Sequence, residues 1–226
     1  MNISTLFNQH KTIFITGTDT EVGKTFCASL MVKALLKDNL DIFPFKPISA
    51  GTQYYPELEA SNNTMANEDA VCLYNAVQRR YSLDQINPIV FDQPIAPHIA
   101  AKMAQQALDF NRLDIAYKGI KDLGEVQLIE GAGGWHLPLN DSELLSEWVA
   151  QHQLPVIMVV GVKLGCLNHA LLTAQAIEQS GCNLIGWIAN YIEGDSDIAK
   201  QNVAFIKQKL NAPLIHSVQQ GQTELV

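Results

Sequence analysis

The stretch Thr12-Ile-Phe-Ile-Thr16, followed by Gly17-Thr-Asp-Thr-Glu-Val-Gly-Lys-Thr25, decides the fold. The first five residues are β-branched or aromatic and predict a strand. From Gly23 onward apolar residues recur at helical spacing, which predicts a helix. A glycine-containing loop between a strand and a helix offers backbone N–H groups to an anion. The segment therefore predicts a phosphate loop, in which Lys24 reaches the β- and γ-phosphates and Thr25 binds Mg²⁺.

This phosphate loop is longer than the common G-x-x-x-x-G-K-[ST] pattern. Thr18 stands where that pattern has its first glycine, and Gly17 lies one residue earlier. An ordinary turn is the alternative interpretation. The combination of a strand, a glycine, Gly-Lys-Thr and a helix favours phosphate binding over that alternative.

Apolar runs alternate with amphipathic stretches along the rest of the chain. Further strands are predicted at Asp41–Lys46, Pro88–Phe91, Val126–Glu130, Pro155–Gly161 and Asn183–Asn190. Pro44 would place the first of these at an edge of the sheet or bend it. Further helices are predicted at Glu68–Arg80, Pro97–Ala107, Arg112–Leu123, Glu143–Gln151, Leu167–Gln179 and Ser196–Leu210, and a long loop at 47–66. Strands that are apolar on both faces and separated by helices predict a doubly wound, mostly parallel α/β sheet. We expect one domain over residues 1–226, with helices on both faces and a P-loop NTPase-like fold.

The composition excludes several classes of protein. The chain has 226 residues, 47% hydrophobic, with 15 Lys+Arg against 23 Asp+Glu, a net charge of −8. This balance argues against disorder and against binding to nucleic acid or anionic membranes. No apolar run approaches the ~20 residues of a membrane span, and the N-terminal stretch predicts no signal peptide. Four scattered cysteines without a C-x-x-C pair suit a reducing cytoplasm.

Three charged residues lie at the ends of predicted elements: Lys46 and Glu130 each end a strand, and Asp69 lies at the start of a helix. Lys46 ends a strand and is either a second cation for the γ-phosphate or a solvated lysine. Glu130 ends a strand before Gly131-Ala-Gly-Gly134 and is either a Mg²⁺ partner or a solvated acid before a flexible turn. Asp69 either binds the metal or only complements the start of a helix.

A second anion site is predicted at Gly165–Asn168, where free N–H groups at a helix start suit a carboxylate. The alternative there is a tight turn capped by Asn168. His98 is more typical of a packed or capping residue than of a general base. Asn190 is either a nucleobase contact or a turn residue. From pattern alone, these alternatives stay open.

Taken together, the chain resembles the dethiobiotin synthetase family. The likeness is carried by residues 17–25, Lys46-Pro47, Pro97-His98, Glu130-Gly-Ala-Gly-Gly-Trp135, the block 154–170 and Gly186-Trp-Ile-Ala-Asn190. It runs from about residue 11 to 192. The longer phosphate loop and the 154–170 block are specific to this family rather than to phosphate loops in general.

The resemblance implies an ATP-dependent ligase that joins CO₂ to 7,8-diaminononanoate (7,8-diaminopelargonate), giving dethiobiotin, ADP and phosphate. It implies Lys24 and Lys46 as catalytic residues, and Thr25, Asp69 and Glu130 as Mg²⁺ ligands. The implied nucleotide contacts are Thr20, Glu21, Val22, Gly23, Lys24, Thr25, Phe26, Asp69, Glu130 and Asn190. The implied substrate contacts are Lys46, Ala50, Gly133, Gly165, Cys166, Leu167 and Asn168, the last four contributed across a homodimer interface.

The chain departs from the family pattern at two places. The family commonly has a hydroxyl residue immediately before the glycine that follows Lys-Pro, whereas this chain has Ala50 there and Ser49 one place earlier. The C-terminal stretch from Ala212 lacks the Gly-x-x-Pro of the family's base-binding loop, which predicts looser nucleobase recognition.

Two alternative functions are an amidation-type ligase related to corrinoid synthesis and a partition-type ATPase. The first lacks support because no glutamine-hydrolysing domain with a nucleophilic cysteine is evident. The second class carries a further lysine in its phosphate loop and often a basic surface. Residues 18–22 contain no lysine and the net charge is −8, which disfavours the second class.

Overall fold

The fold is built on a six-stranded parallel sheet with helices between its strands. The computed structural model describes residues 3–56, 58 and 65–225. The strands are β1 (Thr12–Gly17), β2 (Ile42–Phe45), β3 (Ile48–Ala50), β4 (Gln53–Tyr54), β5 (Met65–Ala66), β6 (Ile89–Phe91), β7 (Val126–Glu130), β8 (Val156–Gly161), β9 (Leu184–Tyr191) and β10 (Leu214–Gln219). The helices are α1 (Ile3–Gln9), α2 (Lys24–Lys37), α3 (Glu68–Ala76), α4 (Leu83–Ile86), α5 (Pro97–Met103), α6 (Phe110–Lys118), α7 (Leu145–Gln151), α8 (Cys166–Gln179) and α9 (Asp197–Lys209).

The main sheet has the strand order β10-β9-β8-β1-β7-β2, and every pairing in it is parallel. The chain leaves β1 toward β2 on one side and later runs from β8 to β10 on the other. Because parallel crossovers are right-handed, α2 lies on one face of the sheet and α8 and α9 lie on the other. The predicted doubly wound α/β class is confirmed. Since the order reverses beside β1, a ligand crevice is expected at the carboxyl end of this strand.

Burial on both faces of the main sheet explains the uninterrupted apolar runs in its strands. Strands β7 and β8 are buried along their whole length, and β1 is buried after its first residue. Uninterrupted apolar runs are what a parallel sheet covered on both faces requires. Pro44 lies in β2, an edge strand as predicted. An edge tolerates proline because its outer side has no partner for an N–H donor.

The predicted long loop at 47–66 is wrong in part. Strand β3 pairs in parallel with β6, with Ile48 opposite Ile89, and β4 pairs antiparallel with β5. These strands are too short to show an alternating pattern, and the partner of β3 is distant in sequence. The predicted strand Pro88–Phe91 is confirmed as β6, but it lies outside the main sheet. Residues 57 and 59–64 of the predicted loop lie outside the described residues.

Several helix boundaries differ from the prediction. Helix α3 ends before Gln78 and Arg79, whose φ angles of +56° and +59° are left-handed and cannot continue a helix. Gln105 (φ +54°) follows the early end of α5 in the same way. Helix α6 begins at Phe110 because the Asp109 side chain caps it. Left-handed residues other than glycine have no simple sequence signal, so the predicted ends of α3 and α5 lie too late in the sequence.

Besides β3, β4 and β5, three further elements lie outside the predictions, namely α1, α4 and β10. Helix α4 is a single turn, and β10 lies at the edge of the sheet with only Ile215 and Val218 buried, three residues apart and without a strand-like alternation. Across residues 3–56, 58 and 65–225, no helix is long and apolar enough to cross a membrane. The four cysteines are all free, and three of them are buried.

Candidate active site

The phosphate loop, residues 17–25, joins β1 to α2 at the carboxyl end of β1. Gly23 is the N-cap of α2 with φ +81°, a conformation that glycine adopts without strain. A Cβ atom at this position would lie 2.1 Å from the side-chain nitrogen of Asn190. Asn190 is buried in β9 and donates a hydrogen bond to the Val22 carbonyl at 2.9 Å. No side chain caps α2, so its first N–H groups are free to bind an anion.

Lys24 is the first residue of α2 and is only 7% exposed. Its Nζ donates to the Asp19 carbonyl at 3.3 Å, so the side chain folds back along the phosphate loop. Burial and the neighbouring Lys46 ammonium lower the pKa of Lys24. A bound polyanion would relieve both effects, which is the environment expected of a phosphate-binding lysine.

Lys46 pairs with two carboxylates at the carboxyl end of β2. Its Nζ lies 2.7 Å from Glu130 Oε1 and 2.7 Å from Asp69 Oδ2. It also donates to the Gly131 carbonyl at 3.4 Å. Burial alone would lower the pKa of Lys46, but the two carboxylates outweigh burial and raise it. Lys46 is 2% exposed, so the alternative of a solvated lysine is wrong.

Strand register explains why Lys46 meets Glu130. Phe45 lies opposite Ile129 in the β2–β7 pair, so the next residues of the two strands are neighbours. Thr25 donates its hydroxyl to the same Glu130 Oε1 at 2.6 Å. Glu130 is 1% exposed, and the alternative of a solvated acid is therefore wrong.

Asp69 reaches this cluster from the start of α3. The Asn67 side chain caps α3 by accepting from the Ala70 N–H, and its amide donates to the Gly51 carbonyl at 2.9 Å. Asn67 thereby joins the start of α3 to the segment after Lys46. Burial alone would raise the pKa of Asp69, but the Lys46 ammonium outweighs burial and holds it below the usual value. Asp69 thus lies at a helix start and in the cluster, and its role as a metal ligand stays a prediction.

Thr25, Asp69 and Glu130 are the predicted metal ligands, and their chemistry fits magnesium. Glu130 Oε2 is buried and has no hydrogen-bond partner among the described residues, which leaves one carboxylate oxygen for another ligand. Mg²⁺ binds one or two carboxylates together with phosphate oxygens and water. In the described part of the chain, no group of three or more His, Cys, Asp or Glu could hold a metal. The set therefore fits an ion whose coordination is completed by phosphate rather than by protein alone.

A cavity of about 770 Å³ includes most of the predicted site. The predicted residues that line it are Thr20, Glu21, Gly23, Lys24, Thr25, Lys46, Ala50, Asp69 and Gly133. Its apolar lining comes from Pro94, Ile95, Ala96, Pro97 and Leu137, most of which the sequence did not indicate. A cavity with both ionic and apolar walls suits a ligand that combines charged groups with a hydrocarbon chain.

The predicted carboxylate site at Gly165–Asn168 does not line this cavity. Gly165 (φ +92°) is the N-cap of α8, and no side chain caps the helix. The alternative in which Asn168 caps the turn is therefore wrong. Cys166 is buried, whereas the preceding Leu164 is 96% exposed. The start of α8 thus lies beside an exposed apolar side chain.

Phe26 and Asn190 line a separate cavity of about 320 Å³. Gln220 and Gly221, which follow β10, line the same cavity. The C-terminal segment therefore lies beside the predicted nucleobase contact although it lacks the Gly-x-x-Pro stretch. Val22 is buried, and its carbonyl accepts a hydrogen bond from the Asn190 side chain.

Sequence reasoning named Ser49 but missed its partner Asn87, a buried amide near Lys46. The Ser49 hydroxyl donates to Asn87 Oδ1 at 2.6 Å, and both residues are buried. The available signal was the Ser-x-x-Gln of a capping box at Ser82, which marks the helix before Asn87. His98 has a buried Nδ1 that finds no hydrogen-bond partner in the part of the chain that the structure describes, and it does not line the 770 Å³ cavity.

Known proteins are similar to this chain over most of its length. A family model described as an AAA domain matches residues 11–223. ATP-dependent dethiobiotin synthetase BioD of Pseudoalteromonas translucida (strain TAC 125) is 43% identical over 206 residues, covering 91% of this chain and 88% of that protein. The protein of the same name from Aeromonas salmonicida (strain A449) is 42% identical over 209 residues, covering 92% and 90%.

Solved structures of low identity share the fold. A ParA family ATPase from Chlorobium tepidum TLS has a TM-score of 0.52 at 15% identity, covering 94% of this chain and 86% of that chain. The MinC:MinD cell division protein complex from Aquifex aeolicus gives 0.53 at 14% identity, covering 93% and 81%. At these identities the likeness concerns the fold alone. The predicted P-loop NTPase-like architecture is confirmed.

Proposed function

The chain belongs to the ATP-dependent dethiobiotin synthetase family, and from this premise we propose how its site carries out the reaction. The protein is an ATP-dependent ligase of biotin biosynthesis. Its proposed substrates are MgATP, CO₂ and 7,8-diaminononanoate, and its products are dethiobiotin, ADP and phosphate. The observation that carries the proposal is the buried pair of ammonium groups, Lys24 and Lys46, beside the phosphate loop.

The nucleotide is proposed to bind with its phosphates on the phosphate loop. Free N–H groups at the start of α2 and the Lys24 ammonium suit the β- and γ-phosphates. Thr20 and Glu21 line the same cavity. The base would occupy the cavity beside Phe26 and Asn190, whose polar wall includes the C-terminal Gln220.

The proposed chemistry has three steps and no covalent enzyme intermediate. One amine of the substrate attacks CO₂, loses a proton and becomes a carbamate. A carbamate oxygen attacks the γ-phosphorus, and the bond to the departing ADP breaks. The second amine then attacks the carbonyl carbon of this mixed anhydride, losing a proton as phosphate leaves and the ring closes. The protein contributes position and charge rather than a nucleophile.

Lys46 is proposed to bind the carbamate and γ-phosphate oxygens during transfer. Its ammonium stays charged between Glu130 and Asp69, at the wall of the cavity that also holds Lys24. With Thr25, the two carboxylates would hold Mg²⁺, which neutralises phosphate charge when it is bound. Charge placed in advance around the γ-phosphate is a large contribution to phosphoryl transfer.

The hydrocarbon part of the substrate suits the apolar portion of the cavity. Ile95 and Leu137 line it together with Ala50, and Gly133 (φ +61°) leaves its backbone close to the same space. Ala50 cannot donate a hydrogen bond through its side chain. The Ser49 hydroxyl is engaged by Asn87 and does not replace it.

The substrate carboxylate is proposed to bind at Gly165, Cys166, Leu167 and Asn168 of a second copy in a homodimer. These residues do not line the cavity of their own chain, so a single copy would leave the carboxylate without that site. Leu164, which precedes α8, and Leu172, within α8, are 96% and 57% exposed, as apolar residues of an interface would be in a separated chain. We further propose a single domain over residues 1–226 that acts in the cytoplasm, with all four cysteines reduced.

The proposed function is tested by forming the product with labelled carbon. Purified protein receives MgATP, ¹³C-bicarbonate and 7,8-diaminononanoate, and dethiobiotin is detected by mass spectrometry. The label is expected in the ring carbonyl, and omission of ATP or addition of a chelator should abolish it. Folded protein that consumes no ATP and forms no labelled product under these conditions would overturn the proposal.

A further inference from the structure

Asn87 is a buried amide that contacts the main chain of Lys46. Its Nδ2 donates to the Lys46 carbonyl at 2.7 Å, and its Oδ1 accepts from the Ser49 hydroxyl at 2.6 Å. The Lys46 N–H donates to the Ile86 carbonyl at 2.8 Å. Both backbone polar groups of Lys46 are therefore bound by the two adjacent residues at the end of α4.

The main chain of Lys46 needs such support because no strand contains it. Strand β2 ends at Phe45, and β3 begins at Ile48 in a different sheet. The following residue is Pro47, which has no N–H to donate. The hydrogen bonds to residues 86 and 87 thus take the place of the inter-strand hydrogen bonds that hold the main chain of a strand residue.

Asn87 itself is rigidly held. Helix α4 begins with a capping box, in which Ser82 and Gln85 bind each other's backbone N–H groups. The Asn87 N–H donates to the Leu83 carbonyl at 2.8 Å, and Leu83 and Ile86 are buried. Two residues after Asn87 the chain enters β6, which pairs with β3, the strand that begins two residues after Lys46. The amide is therefore anchored before and after the point at which it contacts Lys46.

We infer that Asn87 is a positioning residue, which fixes the main chain from which the Lys46 ammonium reaches the reacting groups. The inference rests on the proposed function, in which Lys46 binds the carbamate and γ-phosphate. Asn87 does not line the 770 Å³ cavity, but both of its side-chain partners, Lys46 and Ser49, do. A variant that still accepts from Ser49 therefore isolates the route through Lys46. A misplacement of about 1 Å at a reacting group can lower a rate about 100-fold.

The first test replaces Asn87 by aspartate. Asn87→Asp keeps the shape and the acceptor for Ser49, but a carboxylate cannot donate to the Lys46 carbonyl. We expect kcat for dethiobiotin formation to fall about 10- to 100-fold. The KM for ATP should stay within about two-fold, because the phosphate loop and Lys24 are unchanged. An unchanged kcat would overturn the inference and leave the proposed function standing.

A matched control separates positioning from folding. Asn140 also donates its side-chain amide to a backbone carbonyl, that of Leu108 at 3.0 Å, and it does not line the cavity. Asn140→Asp is expected to lower the Tm with no change in kcat per folded molecule. If Asn87→Asp also lowers only the Tm, Asn87 is structural and the inference is wrong.

A double-mutant cycle tests the route through Lys46. In a Lys46→Met background, adding Asn87→Asp should change the residual kcat by less than about two-fold, because the group it positions is gone. An equal loss in both backgrounds would overturn the inference. Wild-type turnover by Lys46→Met would instead contradict the proposed role of Lys46. Should Lys46→Met not fold, the split between kcat and KM in Asn87→Asp, set against Asn140→Asp, decides alone.

Discussion

Two helices of this chain begin in the same way but in different surroundings. Helices α2 and α8 follow the adjacent strands β1 and β8, and each has a left-handed glycine as an N-cap without a side-chain cap. At Gly23 a Cβ would lie 2.1 Å from Asn190, whereas a Cβ at Gly165 would meet no atom of the described residues within 4 Å beyond its immediate chain neighbours. Lys24 at the first helix start is buried, and Leu164 at the second is 96% exposed.

The difference is one of enclosure, because the chain surrounds the start of α2 and leaves the start of α8 open. Around α2 the chain supplies two ammonium groups, from Lys24 and Lys46, which suit a polyphosphate. The segment Gly165–Asn168 contains no charged side chain, so its N–H groups suit a single carboxylate. Enclosure of that second site is the part that the proposed homodimer would supply.

The enclosed helix start is tested most strongly by replacing Lys24 with methionine. Lys24→Met keeps the length of the side chain but removes a charge beside the γ-phosphate. We expect kcat to fall about 1,000-fold, measured as labelled dethiobiotin. A kcat within about ten-fold of wild type would contradict the role given to Lys24.

The same variant should not lose stability. Burial and Lys46 lower the pKa of Lys24 below its ordinary value of 10.5, so the folded state holds this proton less tightly than the unfolded state does. Stability contributed by this group therefore rises with pH toward 10.5 and is least at neutral pH. The Tm of Lys24→Met at pH 7 is expected to equal or exceed that of wild type. A clear fall in Tm would indicate that Lys24 is structural.

Gly23→Ala is expected to have the next largest effect. The new Cβ would meet the Asn190 nitrogen, so Asn190 must move and its bond to the Val22 carbonyl is lost. Holding the loop of Gly23→Ala in its wild-type shape costs about 1–3 kcal/mol of strain, which opposes ATP binding. ATP affinity, measured by titration calorimetry, should therefore weaken roughly 5- to 150-fold. Unchanged affinity would show that the loop tolerates a side chain there and that enclosure matters less than inferred.

The enclosed helix start was predictable because its signals are contiguous. Strand β1, the phosphate loop and α2 lie within residues 12–37, and their pattern and glycines are local properties of the sequence. Glu130 was identified by the same logic, since it ends an apolar strand. Strand register then brings it to Lys46, but that neighbour relation depends on which strands pair and is not written in either segment.

The support behind the site was not predictable in this way. Asn87 contacts Lys46 across 41 positions of sequence, through a one-turn helix and a three-residue strand that leave no periodic pattern. The early ends of α3 and α5 depend on left-handed Gln78 and Gln105, residues without a turn signature. Long-range contacts and non-glycine left-handed residues are set by tertiary packing, which one sequence does not reveal.

The open helix start is tested by adding a charge to it. Asn168 is exposed in the first turn of α8, where an acidic residue is compatible with the helix dipole. Asn168→Asp should leave the Tm unchanged but raise the KM for 7,8-diaminononanoate about ten-fold by repelling its carboxylate. Gln201→Glu, exposed on α9, adds the same charge elsewhere and should leave this KM unchanged. If wild type, Asn168→Asp and Gln201→Glu had equal KM for 7,8-diaminononanoate, the substrate carboxylate would not bind at this helix start.

Gly165→Ala is the counterpart of Gly23→Ala and should have the smallest effect. Alanine at φ +92° is strained by about 1 kcal/mol, but its Cβ meets nothing within 4 Å. For a chain of this size the Tm should fall by about 2–4 °C, measured by calorimetry. The KM for ATP should be unchanged, because the phosphate loop lies at a different helix start. A ten-fold rise in the KM for 7,8-diaminononanoate would mean that substrate or a second copy approaches this backbone as closely as Asn190 approaches Gly23. The two helix starts would then differ only in whether the enclosing atoms come from the same chain.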